Sequence, residues 1–248
     1  MSAIKIQIRY LNDVSWVNGS VCDFSVHNNK ADVWRINISS NLSVINSFLE
    51  ILRPGEIARA NRYYQTKDRD RFIISRGALR IILGKYINQQ PALIEFKTGP
   101  NKKPYINNTN HDQLCFNISH SGDWILVAVS NSEIGADTEQ VNYAFNYKDV
   151  LQGNFSSAEI DYIDQDSSVE RFFMLWTRKE ALTKATAKGL DEDLKSIPCL
   201  DGVHVTESST VSSEEDWQIS TFKLSENYLA SVANNIKIVT IRFWDISF

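Results

Sequence analysis

Two acidic side chains in one short segment are the first candidates for chemistry. The segment Ile134 to Glu139, with the sequence IGADTE, predicts a strand, so that Asp137 and Glu139 lie on one face and Thr138 on the other. Two neighbouring carboxylates repel each other, and a hard divalent cation with oxygen ligands would offset that repulsion. Acids at this spacing also occur on solvated strand edges, so the pair alone does not distinguish a metal site from an ordinary surface.

A third acid and a lysine lie on a predicted helix further along the chain. Residues 172–190 read FFMLWTRKEALTKATAKGL, with apolar side chains at helical spacing, a start signalled by Ser167 and an end signalled by Gly189. Glu180 and Lys184 are four residues apart and therefore share a helix face. By itself the pattern is that of an amphipathic core helix with a surface ion pair. Beside the strand acids, Glu180 would supply a third oxygen ligand.

Basic side chains are concentrated upstream, where residues 53–86 predict helices with Pro54 in a first turn. The arginines of this region are Arg59, Arg62, Arg69, Arg71, Arg76 and Arg80. They form either a solvated helical face or an anion pocket, since guanidinium groups match phosphate oxygens. Lys103 follows in the turn GPNKKPY, and His120 in a polar connection after the strand CFNIS. A polyphosphate bridged by a metal would use such cationic partners.

The elements that must position these residues alternate between strand and helix along the chain, which predicts an α+β fold. The 248 residues are 43% hydrophobic, as expected of a globular chain. No run approaches the roughly 20 apolar residues that span a bilayer, and the first residues lack a secretory signal, so a cytoplasmic protein is expected. A net charge of −4 argues against a nucleic-acid partner. Three scattered cysteines predict reduced, mostly buried thiols.

Four motifs, taken together and in order, resemble a known family. The segments GPNKKPY, FNISHSGDW, IGADTEQV and FMLWTRKEALTKATAKGL look like those of 4′-phosphopantetheinyl transferases of the Sfp type. The resemblance implies two α+β halves in a pseudo-twofold arrangement, here residues 1–115 and 116–248, with coenzyme A in the cleft between them. It also implies transfer of phosphopantetheine from coenzyme A to a serine of an apo acyl or peptidyl carrier protein, with release of adenosine 3′,5′-bisphosphate.

Roles carried over from the family fall on residues already singled out. Asp137, Glu139 and Glu180 match the ligands of magnesium, for which manganese is the alternative. Lys184 matches the lysine near the transferred phosphate, and Glu180 is the candidate general base, unless it serves as a metal ligand only. The resemblance implies that the contacts with coenzyme A, including its 3′-phosphate, come from Arg59, Arg71, Lys103, Ser119, His120 and Lys184.

One departure from the family and two alternative functions stay open at this point. Lys102 stands at the turn position where the family usually has glycine, so the shape of that turn is not fixed by the resemblance. A non-catalytic module that binds coenzyme A or carrier proteins is the main alternative. A different magnesium-dependent phosphotransferase would need a phosphate loop such as GxxxxGK[ST], which the sequence lacks. A two-half chain could supply its whole cleft, so a monomer is expected.

Overall fold

The structure is a computed structural model that describes residues 2–25, 29–107, 114–165, 168–188 and 193–248. In these residues strands and helices alternate, and the predicted α+β class is confirmed. The strands are β1 Ala3–Leu11, β2 Val17–Asn18, β3 Lys30–Asn37, β4 Phe96–Thr98, β5 Pro104–Ile106, β6 Cys115–Ser121, β7 Trp124–Ser130, β8 Ile134–Gln140, β9 Gly202–Glu207, β10 Trp217–Ser225, β11 Tyr228–Asn235 and β12 Thr240–Asp245. The helices are α1 Ile45–Ile51, α2 Pro54–Ala60, α3 Thr66–Tyr86, α4 Lys148–Asn154, α5 Ser157–Asp164, α6 Val169–Thr186 and α7 Ser208–Val211.

The strands form two five-stranded sheets and a short ribbon. The first sheet has the order β8-β11-β10-β1-β9, the second has the order β2-β12-β3-β7-β6, and β4 pairs with β5 in the ribbon. Strand β1 runs parallel to β10, and β12 runs parallel to β3, so each terminal strand joins a sheet built largely from the other end of the chain. The division into halves 1–115 and 116–248, and their pseudo-twofold arrangement, stay predictions.

The two sheets pack face to face, with a long helix on each outer face. In β3, Val33 packs against residues of the first sheet, whereas Trp34 and Ile36 pack on the other side against α1 and α3. Apolar residues of α6, such as Leu182, pack against β1 and β10 of the first sheet. Burying a leucine of this kind contributes roughly 1.5–3 kcal/mol. The layers therefore run α3, second sheet, first sheet, α6.

Helix α6 corresponds to the predicted helix of residues 172–190. The side chain of Ser168 accepts a hydrogen bond from the Arg171 backbone N–H and caps the start. The predicted start signal Ser167 and stop signal Gly189 lie outside the described residues. No helix in the described part of the chain combines the length and apolarity needed to cross a bilayer. The three cysteines are all buried and free, as predicted.

Two consecutive cationic side chains anchor α6 to β10 and to the segment 194–201. Arg178 and Lys179 are both fully buried. Arg178 donates to the Thr221 hydroxyl, the Cys199 carbonyl and the Asp201 carboxylate, at 2.8, 2.8 and 2.9 Å. Lys179 donates to the carbonyls of Leu194 and Ile197 at 2.9 and 2.6 Å, and forms an ion pair of 3.0 Å with Glu159. Because successive helix residues are about 100° apart, these bonds fix the rotation of α6 and the direction of the next side chain, Glu180.

Glycine at position 135 lets β8 lie directly against the backbone of α6. A Cβ atom at Gly135 would lie 2.1 Å from the Ala181 carbonyl oxygen and 2.3 Å from the Ala185 nitrogen. Both distances are below van der Waals contact, and backbone atoms cannot move aside as a flexible side chain can. The close approach of the strand and the helix therefore requires glycine here.

We expect Gly135→Ala to destabilise the protein by roughly 1–3 kcal/mol, because the added methyl group forces β8 and α6 apart. Urea denaturation monitored by circular dichroism would measure the change in the midpoint. Gly153→Ala is the matched control, since Gly153 lies in helix α4 and a Cβ added there would have open space around it. The control should be neutral or stabilising by up to about 1 kcal/mol. Equal effects of the two substitutions would contradict the close-packing argument.

Candidate active site

The site lies where the edge strands β6 and β8 of the two sheets meet. These strands are joined by side chains of β6 rather than by a backbone ladder, and the donors are alternate backbone N–H groups of β8. The bonds run from Ala136 to Asn117 at 3.0 Å, from Thr138 to Ser119 at 3.4 Å and from Gln140 to Ser121 at 3.0 Å. This β6–β8 seam satisfies backbone groups that would otherwise lack partners between the sheets.

The same seam holds the two strand acids. The Ser119 hydroxyl donates to Asp137 at 2.9 Å, and the Ser121 hydroxyl donates to Glu139 at 2.8 Å. Both carboxylates therefore point toward β6, as expected from the alternation of side chains along a strand. Asp137 is buried, whereas Glu139 is partly exposed.

Helix α6 brings a lysine onto this pair of strands. The Lys184 ammonium lies 2.6 Å from Asp137 Oδ1 and 3.3 Å from the Ser119 hydroxyl oxygen. The Lys184 side chain is 31% exposed and the Asp137 side chain only 4%, so solvent reaches this ion pair from the lysine side. The Lys184 side chain of α6 thus contacts both β8 and β6.

Glu180 lies one helical turn before Lys184 and is buried. Burial and the charge of Asp137 raise the pKa of Glu180 to about 7. Burial, and then the charge of Asp137, also raise the pKa of Glu139 above its usual range. The charge of Asp137 therefore acts on both glutamates, and the charge of Lys184 opposes these two increases in pKa only in part.

The donor set suits a hard divalent cation, although it is not arranged as a metal cluster. Asp137 Oδ2 is buried and has no hydrogen-bond partner, which leaves one carboxylate oxygen available for a cation. Among the residues that the structure describes, no group of three or more His, Cys, Asp or Glu side chains is placed to hold a metal ion. The positive charge against Asp137 in this arrangement is the ammonium of Lys184.

His120 is under the electrostatic influence of three other predicted phosphate contacts. His120 is exposed on β6, yet surrounding protein atoms partly desolvate its ring; this desolvation, then the charge of Arg71 and to a smaller extent those of Lys184 and Arg59, lower its pKa. All three cations therefore lie within electrostatic range of this imidazole. Arg71 also forms an ion pair with Asp68 on its own helix.

Two arginines of the basic region have structural partners instead. Arg76 and Arg80 form ion pairs with Glu56, at 2.6 and 2.8 Å, and their guanidinium groups lie over the ring of Phe96. Arg80 is 1% exposed. Arg76 and Arg80 thus belong to a structural network with Glu56 and Phe96, whereas Arg59 and Arg71 act on His120.

Lys103 lies at the C-terminal end of α6. Its ammonium pairs with Glu133 and donates to the carbonyl of Ala185 at 2.7 Å. The preceding residue, Lys102, has a φ of 64°, in the left-handed region that glycine adopts without strain. The turn thus has the backbone conformation that the family's glycine would allow, with lysine in its place.

Several residues of the site were not predicted from the sequence. Asn117 and Ser121 hold β8 and Glu139, and Asn101 donates to carbonyls beyond the end of α6. Polar residues at every second position of an otherwise apolar strand, as in the segment N-x-S-x-S of β6, are a signal that could have identified the first two. Asn101 carries no comparable signal.

Comparison with known proteins matches both parts of the chain to one family. The family model for the 4′-phosphopantetheinyl transferase N-terminal region matches residues 34–132, and the model for the 4′-phosphopantetheinyl transferase superfamily matches residues 133–233. The 4′-phosphopantetheinyl transferase HetI of Nostoc sp. is 30% identical over 81% of this chain and 86% of its own length.

Further relatives agree with that match. The 4′-phosphopantetheinyl transferase Sfp of Bacillus subtilis is 28% identical over 60% of this chain and 66% of its own length. The Synechocystis sp. relative slr0495 is 32% identical over 62% of this chain, which spans 64% of that protein. Since the two models together span residues 34–233, and the Nostoc relative is matched over most of its length, this chain belongs to the 4′-phosphopantetheinyl transferase superfamily.

Proposed function

We propose that this chain is a transferase of the Sfp type that moves 4′-phosphopantetheine from coenzyme A to a serine of an apo acyl or peptidyl carrier protein. The serine oxygen forms a bond to the phosphorus that carries pantetheine, the bond from that phosphorus to the bridging oxygen breaks, and adenosine 3′,5′-bisphosphate leaves. The observation that carries the proposal is the contact of Lys184 with Asp137 and Ser119, beside Glu139 and Glu180.

Asp137, Glu139 and Glu180 would hold magnesium, or manganese in its place. When bound, the cation would neutralise the diphosphate of coenzyme A. The buried, unpartnered Oδ2 of Asp137 and the raised pKa values of the other two acids support this assignment. Lys184, which is partly exposed beside Asp137, would stabilise charge on the bridging and leaving oxygens.

Glu180 is the candidate general base for the serine hydroxyl. A serine is a poor nucleophile near neutral pH, and its proton must move to a nearby group as the new bond forms. Transfer to a carboxylate is most effective when its pKa is close to the working pH, and the pKa of Glu180 is raised to about 7. The competing assignment gives Glu180 a role as metal ligand only.

The cationic group around His120 would bind the 3′-phosphate of coenzyme A. Burial, then the charge of Arg71 and to a smaller extent that of Arg59, lower the pKa of His120, which supports a common phosphate for these three groups. Ser119, next to His120 on β6, would contribute a hydroxyl to the nucleotide, and Lys103 a further contact. A cytoplasmic location, a monomeric state and the lack of a nucleic-acid partner belong to the same proposal.

Transfer is tested directly by incubating the protein with coenzyme A, magnesium and an apo carrier domain. We expect the carrier to gain the mass of one phosphopantetheine, measured by intact-protein mass spectrometry, and the gain to vanish when EDTA is added. Binding of coenzyme A or of the carrier without any mass gain would favour the non-catalytic alternative. Testing apo peptidyl, polyketide and fatty-acid carriers side by side would define the partner.

Glu180→Gln and Asp137→Ala should each reduce the rate of transfer by at least about 100-fold, because each removes a charge that acts on the reacting groups. Glu50→Gln is the control, since Glu50 is an exposed acid on α1. Circular dichroism and thermal melting would show that the variants are folded. Full activity in either active-site variant would refute its assignment.

His120→Ala should raise the KM for coenzyme A roughly tenfold, as expected from the loss of a charge-assisted hydrogen bond to phosphate. The effect on dephospho-coenzyme A, which lacks the 3′-phosphate, should be clearly smaller. His204→Ala is the matched histidine control, because His204 lies on β9 and contacts the Leu200 carbonyl. Equal losses with both nucleotides would argue against a role for His120 in binding the 3′-phosphate.

A further inference from the structure

The tip of the β4–β5 ribbon contacts the C-terminal end of α6. A backbone hydrogen bond of 2.8 Å from Gly99 to the Lys103 carbonyl closes this tip. The Asn101 side-chain amide donates to the carbonyls of Ala187 and Lys188, at 2.6 and 2.8 Å. Together with the bond from Lys103 to Ala185, this one turn donates to a carbonyl in the last turn of α6 and to those of the two residues that follow the helix.

These contacts satisfy groups that a helix cannot satisfy by itself. The last carbonyls of an α-helix have no N–H partner within the helix, and their partial negative charge favours cationic or amide donors. Ala187 follows the last helical residue with a φ of 53°, so the chain turns away there. The ribbon tip supplies a donor to Ala185 in the last turn, and donors to Ala187 and Lys188 just after it, from a part of the chain more than 80 residues away in sequence.

The ribbon is itself held firmly at its other end. The ring of Phe96 on β4 lies under the guanidinium groups of Arg76 and Arg80, at 4.5 and 5.1 Å, and packs edge-on against Phe116. Those arginines belong to α3, on the opposite side of the two sheets. The ribbon thus links the α3 layer to the end of α6, immediately after Lys184.

We propose that Asn101 is a positioning residue of the transferase reaction. It holds the end of α6, and so fixes where Lys184 meets Asp137, without touching the substrate. The expected effects on kcat and KM rest on the proposed function. The Asn101 side chain contacts the backbone after α6 and not the acids. Its proposed role is therefore to hold the helix, which is distinct from binding the nucleotide.

Asn101→Gly tests the contact with little disturbance of the backbone. Asn101 has a φ of 48°, a conformation that glycine adopts freely, so this change removes the amide donors and adds no strain. Asn101→Asp keeps the size of the side chain but presents a carboxylate to two carbonyl oxygens. Lys102→Gly is the matched control, since Lys102 is the exposed neighbour with a φ of 64° in the same turn.

We expect Asn101→Gly to lower kcat about tenfold at saturating coenzyme A, less than the hundredfold loss that a 1 Å misplacement causes, while KM for coenzyme A stays unchanged. Asn101→Asp should lower kcat further, and Lys102→Gly should keep the wild-type kcat. A rise in KM with kcat retained would overturn the proposal, because it would place Asn101 in contact with the nucleotide. Unchanged kcat and KM would overturn it as well.

Hydrogen exchange measured on the free protein separates this inference from the proposed function. Amides in the last turn of α6 should exchange faster in Asn101→Gly than in the wild-type protein or in Lys102→Gly. If the wild-type protein transfers no phosphopantetheine, the proposed function fails, while the exchange data still decide whether Asn101 holds the helix. Identical exchange in all three proteins would overturn the positioning role.

Discussion

The arrangement of the site depends on the side-chain bonds between β6 and β8. These two strands belong to different sheets, and alternate polar residues of β6 take the place of a backbone ladder between them. The same hydroxyls that bind the backbone of β8 also donate to Asp137 and Glu139. Joining the sheets and orienting the acids are therefore one interaction, and neither can change without the other.

Helix α6 is held against this seam by the contacts of Arg178 and Lys179. Burying a cation is costly unless its donors are satisfied, and Arg178 and Lys179 are each bonded to three partners. Rotating the helix would break these bonds together, while Gly135 keeps its backbone against β8. Glu180, the residue next to these two cations, consequently has a fixed direction, which an isolated amphipathic helix would not give it.

The sequence indicated the local parts of the site better than the long-range ones. Period-two alternation predicted the shared face of Asp137 and Glu139, and helical spacing predicted α6, because both patterns follow from neighbouring residues. Buried charges at Arg178 and Lys179 could not be predicted, since WTRKE reads as an exposed charged segment without its distant partners. The pairing of β1 with β10, in which Ile6 lies opposite Trp217, likewise depends on contacts that no local pattern encodes.

The ionisation of the site explains why so many anchors surround it. The pKa of Glu180 is raised from its ordinary 4.5 to about 7, so below that pH the folded protein favours the protonated form of this acid. Relative to the unfolded chain, the folded state therefore loses stability as the pH rises from 4.5 toward 7. Near neutral pH the assembled carboxylates work against folding, and the β6–β8 seam, the buried cations of α6 and the Asn101 contact supply opposing interactions. Because these carboxylates repel one another, a bound cation would stabilise the site.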